Sequence, residues 1–496
     1  MPVHHCAIAW RPTPAVLASA LLLLLVLLTG CTTQQPYRLG KQGCVVSDPF
    51  RDKDGNFDWE VRGDDGRPCG DASSVSVNKP VPFSVDFVEF DDQGVFADRR
   101  QVEEAIQHAA AREDGGSYVV VFIPGWHHNA RPGDGNVRGF YDMLASLSNW
   151  NPKRKVKGIY IGWRGESLDV PLVKHLTFWD RKGTSDEVGR GALLELLLRL
   201  EREVKLNKGD DNKLALIGHS FGASVTFNAL AHVYLSRFLD GLYSTETAPR
   251  FRGYGDLVVL VNPAIEAMRY MPFQSALKYY ARDIDQRYYR EGNQRQLSFA
   301  HEKQPALVIL SSADDLPTRR LFPIGRLFTT AFEAHARVSD QRSPDETKDG
   351  HYSEWNMDQR TVANYWDFQT HATIDLAPSD ASGTPMPEKS LEAGLRKSCR
   401  SMDPDEVRRQ FDLPEGTSDA SSFLDSRIRA RRLSGQGVKG IPYVVAAVDE
   451  RIVEGHNDIG GLNLLCWINQ LMNTQEQDDK RLDAPVFKQG PAASYQ

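Results

Sequence analysis

The chain has no excess of positive charge. Its 496 residues carry 59 Lys and Arg against 66 Asp and Glu, a formal charge of −7. A nucleic-acid binder neutralises phosphates with a basic footprint, so this balance argues against nucleic acid as a partner. Long apolar runs are also missing: residues 15–28 form one of about 14 residues, where a spanning helix needs about 20. Neither a GxxxxGK[ST] phosphate loop nor a GxGxxG fingerprint after a strand occurs, so no nucleotide cofactor is implied. Internal repeats are absent, and cysteine is scarce, with six in all. The remaining composition is 41% hydrophobic and 25% charged, with 39 Gly and 27 Pro, which excludes collagen, coiled coil and wholesale disorder. At about 150 residues per domain, the length suggests roughly three domains, or one large domain with insertions.

The apolar run at 15–28 follows a thinly charged start and suits the core of a signal peptide. It ends Leu28-Thr29-Gly30-Cys31, which resembles the lipobox of bacterial lipoproteins. The resemblance implies that residues 1–30 are removed and that Cys31 becomes the lipidated first residue of the mature chain. Such a chain is expected at the cell envelope, held to membrane by its lipid anchor. Thr32 in place of Asp implies the outer membrane, facing the periplasm, if the source is Gram-negative. In an exported, oxidising setting Cys44, Cys69, Cys399 and Cys466 remain, with three possible pairings. Cys44 with Cys69 is the local pairing expected, because the Asp- and Gly-rich segment between them cannot hold a core of its own. Cys466, in the run GLNLLCWINQL, reads equally well as a buried free thiol.

Residues 31–80 read as a tether, polar over 32–43, followed by the Cys44/Cys69 segment. Asp52 to Asp58 has acidic spacing, but Phe57 and Gly63 stand where a calcium loop needs Gly and Glu, so a solvated turn is expected. Alternation at 83–87 and the turn at 91–94 predict a hairpin with Val95-Phe96. A helical pattern covers 99–112. Short β-rich runs follow at 118–123, 156–163, 214–217, 257–261, 306–310 and 443–448, with helical patterns at 191–204, 223–237 and 461–472. Fully apolar strands separated by helices predict an α/β fold with a mostly parallel sheet and helices on both faces. The gap between 310 and 443 is too long for one crossover and marks an insertion, taken as 321–439, with linker-like stretches at 378–390 and 414–422. The core then comprises 81–320 and 440–475, with a polar tail at 476–496.

The chemistry gathers at strand ends. The run 214–217 leads into Gly218-His219-Ser220-Phe221-Gly222 and a helix, the strand-turn-helix context of a nucleophile elbow that projects Ser220. A serine needs a base and an orienting acid. Ser311-Ser312-Ala313-Asp314-Asp315 follows one later strand, and Gly455-His456-Asn457-Asp458 follows the last. His456 fits the general base. Glu266, past the strand 257–261, is a more distant candidate acid. The loop Pro124-Gly125-Trp126-His127-His128-Asn129 follows another strand, and its Gly lets backbone approach a ligand. The adjacent His127 and His128 point different ways and have no Cys, Asp or Glu at ligand spacing, so no metal is expected there.

The ordered set PGW, GHSFG, SSADD and EGHNDI resembles the α/β-hydrolase superfamily, in particular bacterial members read as esterases, over roughly 83–330 and 440–475. The resemblance implies a Ser-acid-His triad with the acid three residues past the strand-end Gly or Ser. That assigns Asp314, with adjacent Asp315 as the alternative. It also implies an oxyanion hole from the amides of Phe221 and Trp126, although Pro124-Gly125 departs from the His-Gly common at this place. His219 is expected to pack under the turn. The implied activity is cleavage of carboxylic esters, from small molecules or lipids, through a Ser220 acyl-enzyme without cofactor or metal. Thioesterase, amidase and acyltransferase chemistry use the same parts, and a non-catalytic envelope-binding lipoprotein is the reading from a different class. The insertion, rich in aromatics over 321–376, is read either as a cap over the pocket or as a subdomain on the side of the sheet. The basic groups Arg427, Arg429, Arg431 and Arg432, and Lys153, Arg154, Lys155 and Lys157, fit either anionic headgroups or a solvated face.

Overall fold

The computed structural model describes Ser19 and residues 36–479, except 41, 52–56, 61, 165–177, 207–211, 244–252, 278–304, 331–332, 335–336, 340–350, 377–393, 397–398, 400–427 and 433–442. The rest of the signal segment, Cys31 and the two linker-like stretches lie outside the described residues, as does most of the Asp52–Asp58 turn.

Eleven strands form one sheet. In chain order they are β1 (Cys44–Val46), β2 (Ser74–Val77), β3 (Phe83–Glu89), β4 (Ser117–Ile123), β5 (Lys155–Gly162), β6 (Lys213–His219), β7 (Leu257–Val261), β8 (Leu307–Ser312), β9 (His371–Leu376), β10 (Ile428–Arg432) and β11 (Tyr443–Val448). Their order across the sheet is β1-β2-β3-β5-β4-β6-β7-β8-β11-β9-β10. Neighbours run parallel except β2 with β3 and β9 with β10. Strands β4, β6, β7 and β8 are buried at every position because both faces are covered. In β4, Tyr118, Val120 and Phe122 enter one core, whereas Val119, Val121 and Ile123 enter the other.

The first core is closed by α2 (Gly135–Trp150) and α8 (Leu462–Asp479), through residues such as Phe140, Leu144, Leu465 and Trp467. The second is closed by α1 (Arg99–Ala110), α4 (Leu193–Glu201) and α5 (Phe221–Tyr243), through Val102, Ile106, Leu196, Leu200, Val225 and Leu230. Helix α3 (Phe178–Arg190) lies against α5. Alternating strands and helices thus give the α/β class expected.

Several boundaries differ from expectation. The Cys44/Cys69 segment is not an appendage: β1 and β2 extend the sheet through β3, and the disulfide Cys44–Cys69 joins the start of β1 to the segment before β2. Nor does the polar tether reach residue 43, because Arg38 is fully buried and Gly40 bridges Ala72. The hairpin at 83–96 reduces to a single bridge, Phe90 with Phe96; β3 pairs with β2 and β5 instead. Helix α8 runs to Asp479, past the expected start of the tail. Cys466 is not a free thiol but is bonded to Cys399. The expected insertion is partly sheet, since β9 and β10 continue the order beyond β11. Before β9, α6 (Phe322–Thr330) and α7 (Glu354–Gln359) follow the end of β8, while Val362, Tyr365 and Phe368 are buried in the second core. Of the two readings left open by the sequence, a cap or a subdomain on the side of the sheet, this part of the segment follows the second, with its apolar side chains in the core beside the sheet.

Candidate active site

Strand β6 ends at His219 and α5 begins at Phe221, so Ser220 alone makes the turn, at φ 54°. A left-handed conformation at a non-glycine residue costs about 1–3 kcal/mol and persists only where its surroundings impose it. Here the Ser220 N–H donates to Val261 O at 3.0 Å, and its carbonyl accepts from Ala264 N at 3.1 Å, which clamps the turn to the end of β7. Gly222 is required by close approach: a Cβ there would stand 2.1 Å from Ile123 O.

His456 Nε2 lies 2.9 Å from Ser220 Oγ, and His456 Nδ1 lies 2.8 Å from Asp315 Oδ1. The serine and histidine expected from sequence are thus brought together, but the carboxylate that meets the histidine is that of Asp315 and not of Asp314. Asp315 is fully buried, whereas Asp314 is exposed and bonds only through its N–H to Ser312 Oγ at 3.2 Å. The reason is strand length. Strand β8 runs through Ser312, two residues beyond the apolar run, so the residue three past the strand end is Asp315. Its carboxylate also accepts from Thr318 N at 3.1 Å and from Thr318 Oγ1.

Two residues that hold this arrangement escaped sequence reading in whole or in part. Asn262, at φ 47° just after β7, donates from Nδ2 to Gly455 O and His456 O, both at 2.9 Å, and accepts from Ser312 N at 2.8 Å. It therefore ties the His456 loop to the strand that carries the acid. The available signal was an Asn directly after an apolar strand, since Asn tolerates the left-handed region better than most residues. His219 does pack under the turn, and its Nε2 also donates to His456 O at 2.7 Å. Burial drives its pKa well below the ordinary histidine value, so it is neutral and acts as a donor.

The loop after β4 approaches Ser220 from the other side. A Cβ on Gly125 would fall 2.8 Å from Ser220 Cβ, so only glycine admits this approach. Trp163 Nε1 donates to Pro124 O at 2.8 Å and holds the loop. Of the expected amide donors, Trp126 directly follows Gly125, which approaches Ser220 closely, and Phe221 directly follows Ser220 itself. The Trp126 ring stacks on His127 at 4.0 Å and lies 6.1 Å from the Phe221 ring. His128 Nδ1 pairs with Asp134 at 3.0 Å. Among the described residues no cluster of three His, Cys, Asp or Glu could hold a metal ion.

Glu266 is not the acid. It is buried among Lys182 at 3.2 Å, Arg269 at 2.9 Å and Arg326 at 3.4 Å. Burial alone would raise its pKa, but these three cations outweigh that and hold it below the usual carboxylate range. Lys157 likewise leaves the basic patch: it is buried, donating to His108 O and Ala111 O and pairing with Glu113, each at 2.9 Å. The side chains of Arg427, Arg429, Arg431 and Arg432, and those of His335, His351 and His371, lie outside the described residues. A cavity of about 620 Å³ with a mixed lining, Leu327, Val448, Gln359 and Asn364 among it, reaches Thr318, the partner of Asp315; Ser220 and His456 do not line it.

This arrangement can move a proton from a serine hydroxyl to an imidazole braced by a buried carboxylate. Comparison with known proteins returns nothing: no family model, no curated protein and no solved structure matches the chain.

Proposed function

We propose that the protein is a serine hydrolase of the α/β-hydrolase class that cleaves carboxylic esters through an acyl-enzyme on Ser220. The observation that carries the proposal is the unbroken hydrogen-bond chain from Ser220 through His456 to Asp315, set on a strained strand-to-helix turn. His456 Nε2 takes the Oγ proton as Oγ attacks the ester carbonyl carbon. The tetrahedral oxyanion, facing the amides of Trp126 and Phe221 and the positive end of α5, collapses to the acyl-enzyme. The alcohol leaves with the proton from His456. Water then loses a proton to His456 and attacks the acyl carbon, and Ser220 leaves with that proton. Asp315 keeps the imidazole in the tautomer that can accept and stabilises the imidazolium.

On the same footing we propose that Cys31 is acylated and holds the mature chain on a membrane of the cell envelope. Among the described residues no helix is long and apolar enough to cross a membrane.

A fluorophosphonate probe should label the wild type and fail on S220A, and p-nitrophenyl esters should be turned over by the first and not by the second. Labelling that persists in S220A would overturn the assignment. C31S should leave the membrane fraction; pelleting at high salt would contradict the anchor.

A further inference from the structure

The contacts of Tyr37 and Arg38 bear on where Ser220 faces. Tyr37 N and Arg38 N each donate to the Glu89 carboxylate at 2.8 Å, and Glu89 is the last residue of β3. Arg38 Nε donates to Ala130 O at 2.7 Å, in the loop that follows β4. The Arg38 guanidinium also meets Glu60 at 2.7 Å and lies 3.9 Å over the Phe87 ring. From Arg38 onward the chain is therefore locked to the carboxyl ends of the parallel strands, the end at which Ser220 sits. In the order β3-β5-β4-β6, the clamp at β3 is three strands from the serine, about 14 Å at the usual strand spacing.

Cys31 precedes Tyr37 by six residues, which reach at most about 20 Å when fully extended. Acyl chains on Cys31 would hold this edge of the sheet within that distance of the bilayer.

The same edge carries exposed apolar side chains on both sides of Ser220. Tyr37, Leu39 and Val95 lie at the β3 side and Leu316, Leu321, Ile324 and Leu327 at the β8 side, each between 41% and 55% exposed. Leu321 and Ile324 lie three residues apart on the outward face of the helical stretch that follows Asp315, while Thr318 and Phe322 face inward and Leu327, though part exposed, lines the cavity beside Thr318. Arg319 and Arg320 are exposed in the same stretch. Large aliphatics flanked by arginines make the surface of a helix that lies in a lipid interface, with its apolar face among acyl chains and its cations at anionic headgroups.

We infer that the carboxyl edge of the sheet rests on a lipid surface, with the stretch from Leu316 to Leu327 as its seat, and that Ser220 takes ester lipids from that surface. The substrate clause rests on the hydrolase reading above, and the seat itself does not. With Cys31 acylated and the other four mature cysteines in disulfides, I324C carries the one free thiol of the mature protein and can take an environment-sensitive fluorophore. F50C, at the opposite end of the sheet, is the control. In vesicles of phosphatidylethanolamine and phosphatidylglycerol, the label at 324 should shift to the blue and the label at 50 should stay in water. Equal emission at the two positions would overturn the seat. So would a blue shift at 324 that needs no vesicles and grows with protein concentration, since a second copy would then be the occupant. The double variant L321D/I324D should lose about tenfold or more of its turnover of a long-chain ester embedded in the vesicles, a loss of about 1.4 kcal/mol. Its turnover of water-soluble p-nitrophenyl acetate should be retained, and retained turnover of the embedded ester would refute the seat. If the wild type shows the blue shift but cleaves neither ester, the hydrolase reading fails and the seat stands. If it cleaves the soluble ester without the shift, the seat fails and the hydrolase reading stands.

Discussion

Asp315→Asn tests the geometry of the candidate site more sharply than removal of the nucleophile does. The carboxylate oxygen that faces His456 Nδ1 at 2.8 Å also accepts from Thr318 N at 3.1 Å, and a backbone N–H cannot become an acceptor. An asparagine must therefore put its amide oxygen in that place, with its NH₂ toward Thr318 Oγ1, which can rotate to accept. The His456 tautomer then survives. What is lost is the negative charge opposite the imidazolium in the transition state. Two unit charges about 4 Å apart at an effective dielectric constant of about 20 interact by about 4 kcal/mol. A neutral hydrogen bond in its place recovers about 1 kcal/mol. The remaining 3 kcal/mol or so amounts to a loss of about 10²-fold in kcat/KM, well short of the roughly 10⁴-fold seen where the wrong tautomer is imposed in a serine protease. The assay is p-nitrophenyl acetate hydrolysis, with circular dichroism to verify folding. Asp314→Asn, at an exposed side chain, should be close to wild type. The reasoning is refuted if D315N is as active as wild type, or if D314N falls as far as D315N. A loss near 10⁴-fold in D315N would refute the argument from the Thr318 N–H.

Three further outcomes follow from the same contacts. Asn262→Ala leaves His456 O its bond from His219 but strips the donor from Gly455 O and the acceptor from Ser312 N, each worth about 1–3 kcal/mol when left buried and unpaired, so both the melting temperature and kcat should fall; an unchanged kcat would show that the His456 loop needs no such tie. Glu266→Gln leaves Lys182, Arg269 and Arg326 without their shared anion, though Asp186 and Asp358 still pair with them, and should destabilise by about 1–3 kcal/mol in denaturant melts. Because the Glu266 pKa is lower folded than unfolded, its contribution is present above the unfolded value and is lost as pH falls through the folded one, so wild type and E266Q should converge in acid; a constant difference down to the lowest pH would contradict this. Replacing Cys399 and Cys466 by Ser opens a link across 67 residues, for which loop-closure entropy gives about 4 kcal/mol, read as a denaturation midpoint below that of wild type without reducing agent; once reducing agent has opened the disulfides of both proteins, the difference should vanish.

Much of this molecule is legible in local patterns. The runs at 118–123, 214–217, 257–261 and 443–448 are apolar at every position, and only a strand buried on both faces needs that, so the parallel sheet could be read without coordinates. Ser220 and His456 were likewise visible, because a strand-turn-helix around GHSFG, and a His loop before the last helix, are local signals tied to chain order. The edge strands β1 and β2 and helix α2 were missed for the opposite reason. They are short or diluted by Gly, and they owe their state to a neighbour rather than to their own period.

The choice between Asp314 and Asp315 lay beyond local reading. Adjacent acids differ by one residue of register, and only the pairing of β8 with β11 through Ser312 decides which of them turns inward. Cys399 and Cys466 are 67 residues apart, and their pairing depends on α8 lying where a distant segment passes. Asn262 and His219 act on His456 from 194 and 237 residues away, through carbonyls that no motif marks. The sequence alone determined the layers of the fold and pointed to Ser220 and His456, because burial and turn geometry are written in neighbouring residues. The acid, the disulfide and the residues that hold the histidine were decided by tertiary structure, because hydrogen bonds and disulfides depend on distances of a few ångströms that spacing along a chain does not contain.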